Sequence, residues 1–237
     1  MQVMGKIVVE YSNVEIKLDS DFKIEELSIV VKKGDFVFLI GKTGSGKSSI
    51  LKSMYGEGKI KNGNAQISDT NLVSLKDKEI PHLRRKIGII FQDFQLLKDR
   101  TVFKNLEFIL RATGWKDLDR INERIKSCLE KVHISELSEK LPGQLSGGQK
   151  QKVAIARSLL NEPEIIIADE PTGNLDPKSS IEIMNILKEI NQNGNTILMA
   201  THDFSLLQKY IGRVLRCKNG KIDEIESTNL DIETIYV

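Results

Sequence analysis

Nothing in this sequence stays apolar for long enough to cross a bilayer. Stretches such as Phe36-Val37-Phe38-Leu39-Ile40 and Ile165-Ile166-Ile167-Ala168 fall far short of the ~20 residues a spanning helix needs. Nor do residues 1–10 read as a signal peptide, because their apolar stretch is short and broken by Gly5 and Lys6. Cysteine is scarce: Cys128 and Cys217 lie far apart without C-x-x-C spacing, which argues against a redox or zinc pair and suits a reducing cytoplasm. An excess of one charge is missing too. Lys and Arg number 35 against 33 Asp and Glu, so the net +2 gives no field for non-specific nucleic-acid binding. No internal repeat or low-complexity segment interrupts the 237 residues, enough for one large domain, or one domain with an inserted lobe, and a full-size core.

What is present is an alternation of buried strands and helices. Residues 35–40 form a short apolar run closed by Gly41 and followed by a glycine-rich turn. Ile50, Leu51, Met54 and Tyr55 then recur at helical spacing until Gly56. Residues 165–168 and 196–200 read as two more buried strands, with a helix carrying Ile181, Met184, Leu187 and Ile190 between them. Strands separated by helices predict a parallel sheet. Between about Asp93 and Leu160 the pattern turns helical, with Phe103, Leu106, Ile109 and Leu110, then Ile121, Ile125, Leu129 and Val132 on amphipathic faces. This predicts a helical lobe inserted into an α/β core. Alternation in Val14-Glu15-Ile16-Lys17-Leu18 predicts an antiparallel sheet over that core, and the acidic stretch from Lys221 onward a solvated tail.

Gly41-Lys42-Thr43-Gly44-Ser45-Gly46-Lys47-Ser48 fits G-x-x-x-x-G-K-[ST], in which glycines let successive backbone N–H groups turn inward around phosphate oxygens at a helix N-terminus. In that pattern Lys47 reaches the terminal phosphates and Ser48 offers its hydroxyl to Mg²⁺. The strand 165–168 ends in Asp169 and Glu170, which alternation aims differently. Asp169 is placed to hold the Mg²⁺ shell, and Glu170 to polarise a water attacking the γ-phosphate. His202 follows the third strand, where ligands of open parallel sheets bind, and is read as a γ-phosphate sensor.

Leu145-Ser146-Gly147-Gly148-Gln149 matches LSGGQ, the signature of the ATP-binding-cassette (ABC) family. In order with the P-loop, Gln92 after an apolar run, the strand ending in Asp169, Asn174-Leu175-Asp176 and His202, it makes the chain resemble that family from about Val14 to Gly220. The resemblance implies an α/β fold with a P-loop NTPase core of ABC ATPase type, an inserted α-helical subdomain and an N-terminal antiparallel β subdomain. The single domain then spans 1–237, with the core in 1–92 and 161–220, the helical part in 93–160 and the acidic tail in 221–237. It also implies a head-to-tail homodimer in which ATP, held by Gly41 through Ser49 of one copy, is covered by Ser146, Gly147, Gly148, Gln149 and Asp176 of the other. Ser48, Gln92 and Asp169 would then hold Mg²⁺, and Glu170, His202, Gln92 and Lys47 form the catalytic set. One departure stands out: where the family places an aromatic residue to stack on adenine, Lys17 or Leu18 stands, and Tyr11 and Phe22 are out of register.

Within the family, residues 80–88, 91–97 and 99–102 resemble the FtsE-type cell-division ATPases. That resemblance implies an integral membrane, permease-like partner of the FtsX type docked on the helical subdomain, a place at the cytoplasmic face of the plasma membrane, and no nucleic-acid partner. Glu170-Pro171-Thr172-Gly173-Asn174-Leu175-Asp176 is shared with lipoprotein-release and macrolide-type exporters and does not discriminate. A soluble, non-transport ABC ATPase is the third reading; the lack of a second cassette and of a basic run speaks against it.

Overall fold

The computed structural model of the protein describes residues 5–17, 23–218 and 220–225. The first half runs β1 (Ile7–Lys17), β2 (Lys23–Lys32), β3 (Phe36–Ile40), α1 (Lys47–Met54), β4 (Lys59–Ile67), β5 (Thr70–Asn71), α2 (Ile80–Arg85) and β6 (Ile87–Ile90). Three helices follow, α3 (Val102–Ala112), α4 (Leu118–Lys131) and α5 (Gly147–Leu159). The chain then returns through β7 (Ile165–Asp169), α6 (Pro177–Gln192), β8 (Thr196–Thr201), α7 (Ser205–Lys209), β9 (Arg213–Lys218) and β10 (Lys221–Ile225).

The main sheet has the order β10-β9-β3-β8-β7-β6. Its strands β9, β3, β8, β7 and β6 are parallel and β10 is antiparallel at the edge. Every residue of β3 and β8 is buried, as expected of central parallel strands covered on both faces. Their period-two geometry divides them between two cores. Phe36, Phe38 and Ile40 belong to the core shared by α6 and the helical lobe, whereas Val37 and Leu39 belong to that of α1 and the antiparallel sheet.

That second sheet has the order β2-β1-β4-β5 and is antiparallel throughout. Its third strand, β4, is mostly polar and was not foreseen. A bulge explains its glycine: β1 slips register against β4 between Ser12 and Glu15, where Asn13 stands at φ +51. A Cβ on Gly63 would lie 2.4 Å from the Asn13 carbonyl oxygen, so only glycine fits opposite the bulge.

The lobe inserted between β6 and β7 is held by apolar stripes that include Leu106, Leu110, Ile121, Ile125 and Leu129. Thr101 caps α3 by accepting from the Lys104 N–H, and Asp117 caps α4 by accepting from Asp119 and Arg120. Two expectations need correction. On α6 the predicted inward Ile181 is 39% exposed, and Ile183 takes the buried place. Lys221–Ile225, expected to begin the tail, is strand β10, stapled to β9 by Arg213–Glu224 at 2.8 Å and Arg216–Asp223 at 2.8 Å. Leu18, Phe22 and residues 226–237 lie outside the described residues. Among the described residues no helix is long and apolar enough to cross a membrane.

Candidate functional site

The carboxyl ends of four parallel strands deliver the predicted residues to one edge of the sheet. Gly41 follows β3, His202 follows β8, Asp169 ends β7 with Glu170 next, and Gln92 lies two residues beyond β6. Cys217, near the end of β9, forms the floor. A Cβ on Gly41 would sit 2.4 Å from the Cys217 carbonyl oxygen, so glycine is required for the loop to leave the sheet there. The Cys217 thiol, which burial keeps protonated by raising its pKa, donates to the Ser45 carbonyl at 3.0 Å.

Gly46, at φ +105, is the N-cap of α1 and supplies no side-chain cap. The first N–H groups of that helix are therefore left for an anion. Lys47 is nearly buried and bends back over the loop, donating to the Gly41 carbonyl at 2.8 Å and the Lys42 carbonyl at 3.1 Å. Two of its three donors are used, and the third remains for a ligand. Thr43 and Gly44 are exposed at the rim, and Ser49 is half-buried on α1.

The adjacent carboxylates part ways. The Ser48 hydroxyl donates to Asp169 Oδ1 at 3.1 Å, uniting P-loop and β7. Burial raises the Asp169 carboxyl above its ordinary pKa, the charge of Glu170 pushes the same way, and the Ser48 hydrogen bond opposes them. A desolvated carboxylate beside a hydroxyl is an oxygen donor pair that a hard cation would stabilise. Glu170 adopts φ +46, a left-handed turn at the strand end. Its Oε2 lies 2.9 Å from His202 Nδ1. Gly173 closes the turn through its N–H to the Glu170 carbonyl. The open side of Gly173 faces both Gln92 and Glu170: a Cβ there would lie 3.1 Å from Gln92 Nε2 and 3.4 Å from Glu170 Oε2.

The signature residues are built by a different device. Ser146 caps α5 by accepting from the Gln149 N–H at 3.2 Å, while Gln149 Oε1 accepts from the Ser146 N–H at 2.9 Å. This reciprocal capping box reads as S-x-x-Q in the sequence and could have been recognised there. Gly147 and Gly148 pack against Leu175 and Ser179. Asp176 caps α6, accepting from the Lys178 and Ser179 N–H groups and the Ser179 hydroxyl, and the Ser179 bonds hold its carboxyl below the usual range. The structure thus sets Lys47, Ser48, Asp169, Glu170, His202 and Gln92 at one sheet edge, and Ser146 to Gln149 beside the start of α6. Tyr11, the nearby aromatic, is fully buried with its hydroxyl on Ser53. Two links escaped sequence reading: Asn174 donates to the Gln92 carbonyl at 3.1 Å, and Arg157 binds the carbonyls of Phe94 and Gln95.

Residues 24–173 match the ABC transporter family, and the chain belongs to it. It is an ATP-binding and ATP-hydrolysing cassette. Among its relatives, the cell division ATP-binding protein FtsE of Streptococcus pneumoniae serotype 2 is 39% identical over 221 residues, covering 93% of this chain and 96% of that one. The protein of the same name from Bacillus subtilis is 43% identical over 201 residues, covering 85% and 88%. A cassette solved as a dimer in a post-hydrolysis state with ADP and Pi superposes with a TM-score of 0.80 at 33% identity, covering 92% of this chain and 98% of that one. The cbiO1 component of the Clostridium perfringens cbiONQ ABC transporter complex gives 0.87 at 29% identity, covering 97% and 92%.

Proposed function

We propose that this chain is the ATPase subunit of a cell-division complex, closing as a homodimer on ATP and driving a permease-like membrane partner of the FtsX type. The observation that carries the reading is the convergence at one sheet edge of a phosphate cradle, the Ser48–Asp169 pair and the Glu170–His202 pair. Gly41 through Ser49 cradle the triphosphate, with Lys47 turning its free donor to the terminal phosphates. Ser48, Asp169 and Gln92 would hold Mg²⁺, which when bound neutralises charge on the phosphate oxygens. Glu170 orients a water for attack on the γ-phosphorus and takes up its proton as the bond to the bridging oxygen breaks. His202, held on Glu170, faces the γ-phosphate and the inorganic phosphate it becomes.

The lid comes from the second copy. The capped start of α5 presents the N–H groups of Gly147 and Gly148, with Ser146, Gln149 and Asp176 alongside, to the γ-phosphate of the facing cradle. Loss of that phosphate removes what both copies share, so hydrolysis opens the seam. The relatives named FtsE support the cell-division assignment. A groove of about 400 Å³ between α2, β6 and the helical lobe, lined by Pro81, Arg84, Phe91, Gln95, Ile109 and Arg157, suits a cytoplasmic helix of the membrane subunit. Docked there, the chain sits at the cytoplasmic face of the plasma membrane.

The test is Glu170→Gln. Turnover should fall about 10²–10⁴-fold, the range of a lost general base, while ATP binding persists and MgATP traps dimers on a sizing column. Undiminished phosphate release removes Glu170 from its role. Co-purification tests the partner: recovery of a lipoprotein-release permease in place of an FtsX-type protein overturns the cell-division assignment.

A further inference from the structure

The loop after Gln92 is strained and held from outside. The Gln95 N–H donates to the Asp93 carbonyl at 2.7 Å, closing a three-residue turn with Phe94 at φ +61, and Gln95 follows at φ +49. Residues with a side chain avoid that half of backbone space, and a turn closed around a positive φ is of the rare, strained kind. Such a conformation persists where its surroundings over-determine it. Arg157, on α5, does so: one arm of its guanidinium donates to the Gln95 carbonyl at 2.6 Å and the other to the Phe94 carbonyl at 2.9 Å. Burial works against the charge of that side chain, with Asp93 opposing, so a desolvated cation is committed to two carbonyl oxygens. A planar fork meets two neighbouring oxygens at once; a lysine ammonium on a flexible stem does not.

The other end of the same loop is tied elsewhere, through Asn174 to the Gln92 carbonyl and through Gly173 packed on the Gln92 amide. Residues 92–95 therefore bridge the turn after β7, which carries Glu170, to α5. The far end of α5 is the Ser146 cap. Ser146 and Arg157 are three helical turns apart on this one helix, a separation of about 16 Å at the α-helical rise. A rod displaced at its capped end displaces the arginine as well.

We propose that Arg157 is a positioning residue for hydrolysis: it holds the left-handed Phe94–Gln95 turn and thereby sets Gln92 against Glu170, so that movement of α5 reaches the seat of the attacking water. This rests on the roles given above to Gln92 and Glu170. It adds a residue that touches neither nucleotide nor metal.

The experiment measures kcat and KM for ATP on the full chain, with denaturant unfolding as the control for folding. Arg157→Met should lower kcat on the order of tenfold to a hundredfold, as misplacement of a catalytic group by an ångström does, with KM within about twofold. Arg157→Lys should fall between it and the wild type. Adding Phe94→Gly to Arg157→Met should recover several-fold of the lost kcat, because glycine adopts positive φ without strain and Phe94 belongs to neither apolar core. Wild-type kcat in the arginine variants overturns the proposal, as does a double variant that is stably folded and no faster than Arg157→Met. If Arg157→Met does not fold, Arg157→Lys with and without Phe94→Gly decides in the same way. Gln92→Ala, run alongside, separates the two readings. An unchanged kcat there sinks the role of Gln92 and the route through it, whereas a slowed Gln92→Ala beside a fully active Arg157→Met sinks the arginine's part alone.

Discussion

The sheet edge and the helical lobe place their groups by different means. At the edge, Asp169 ends β7, and Glu170 and His202 follow directly on β7 and β8, whose registers are locked by pairing and by cores in which most side chains are fully buried. In the lobe, Ser146 and Gln149 are set by one local capping box, and the loop that runs from Gln92 at the edge to the lobe is held by Asn174 at one end and Arg157 at the other. A handful of polar ties costs little to rearrange compared with a parallel sheet. The electrostatics diverge in the same sense. Burial raises the Asp169 carboxyl, whereas Lys104 and Arg111 lower that of Glu107 on the lobe. At the edge a half-buried carboxylate is opposed by a neighbouring acid; on the lobe a nearly buried one is answered by cations of its own helix.

The largest effect should come from breaking the edge. Lys47→Ala removes the donor that the proposed function turns to the terminal phosphates and should weaken ATP binding about tenfold to a hundredfold, the worth of a charge-assisted hydrogen bond. Calorimetric titration with ATP checks it, and unchanged affinity would count against the cradle.

Ser146 sharpens the comparison, because its hydroxyl is the helix cap and, on the function proposed above, also the group offered to the second copy. Ser146→Ala should cost about 1 kcal/mol of stability and Ser146→Gly only a few tenths. If the hydroxyl acts across the seam, both variants lose turnover by a similar factor. Turnover that follows the unfolding midpoint instead assigns Ser146 to capping alone.

The same contrast explains what the sequence revealed. Central parallel strands are continuous apolar runs, so β3, β7 and β8 and the residues at their ends could be placed, and amphipathic spacing located α1, α3 and α4. The misses share a cause: their structure depends on a partner outside the segment itself. β4 is polar and is made a strand by pairing with β1 around the Asn13 bulge. β10 is five residues long, and its alternation of Ile222 and Ile225 with acids looked like a tail until Arg213 and Arg216 answered Glu224 and Asp223. On α6, helical spacing pointed to Ile181 as inward, whereas Ile183 joins the core with residues of the sheet. Arg157 meets the Phe94 carbonyl across 63 residues, and no local pattern announces a backbone carbonyl as a partner.

The smallest predicted effect tests whether the lobe's charges are satisfied internally. Glu107, nearly buried on α3, accepts from Lys104 at 2.6 Å and pairs with Arg111 at 2.7 Å. Those partners hold its folded pKa below the unfolded value. Its contribution is therefore fully present above the ordinary carboxylate range and is lost as pH falls through the lowered value. Both cations are about half exposed, so screening limits the contribution to under about 1 kcal/mol. Urea unfolding of wild type and Glu107→Gln should differ at pH 7 and converge as the pH drops below the carboxylate range. A gap that persists undiminished in acid would mean that Glu107 acts through packing, and the lobe would then resemble the edge more closely than its hydrogen bonds imply.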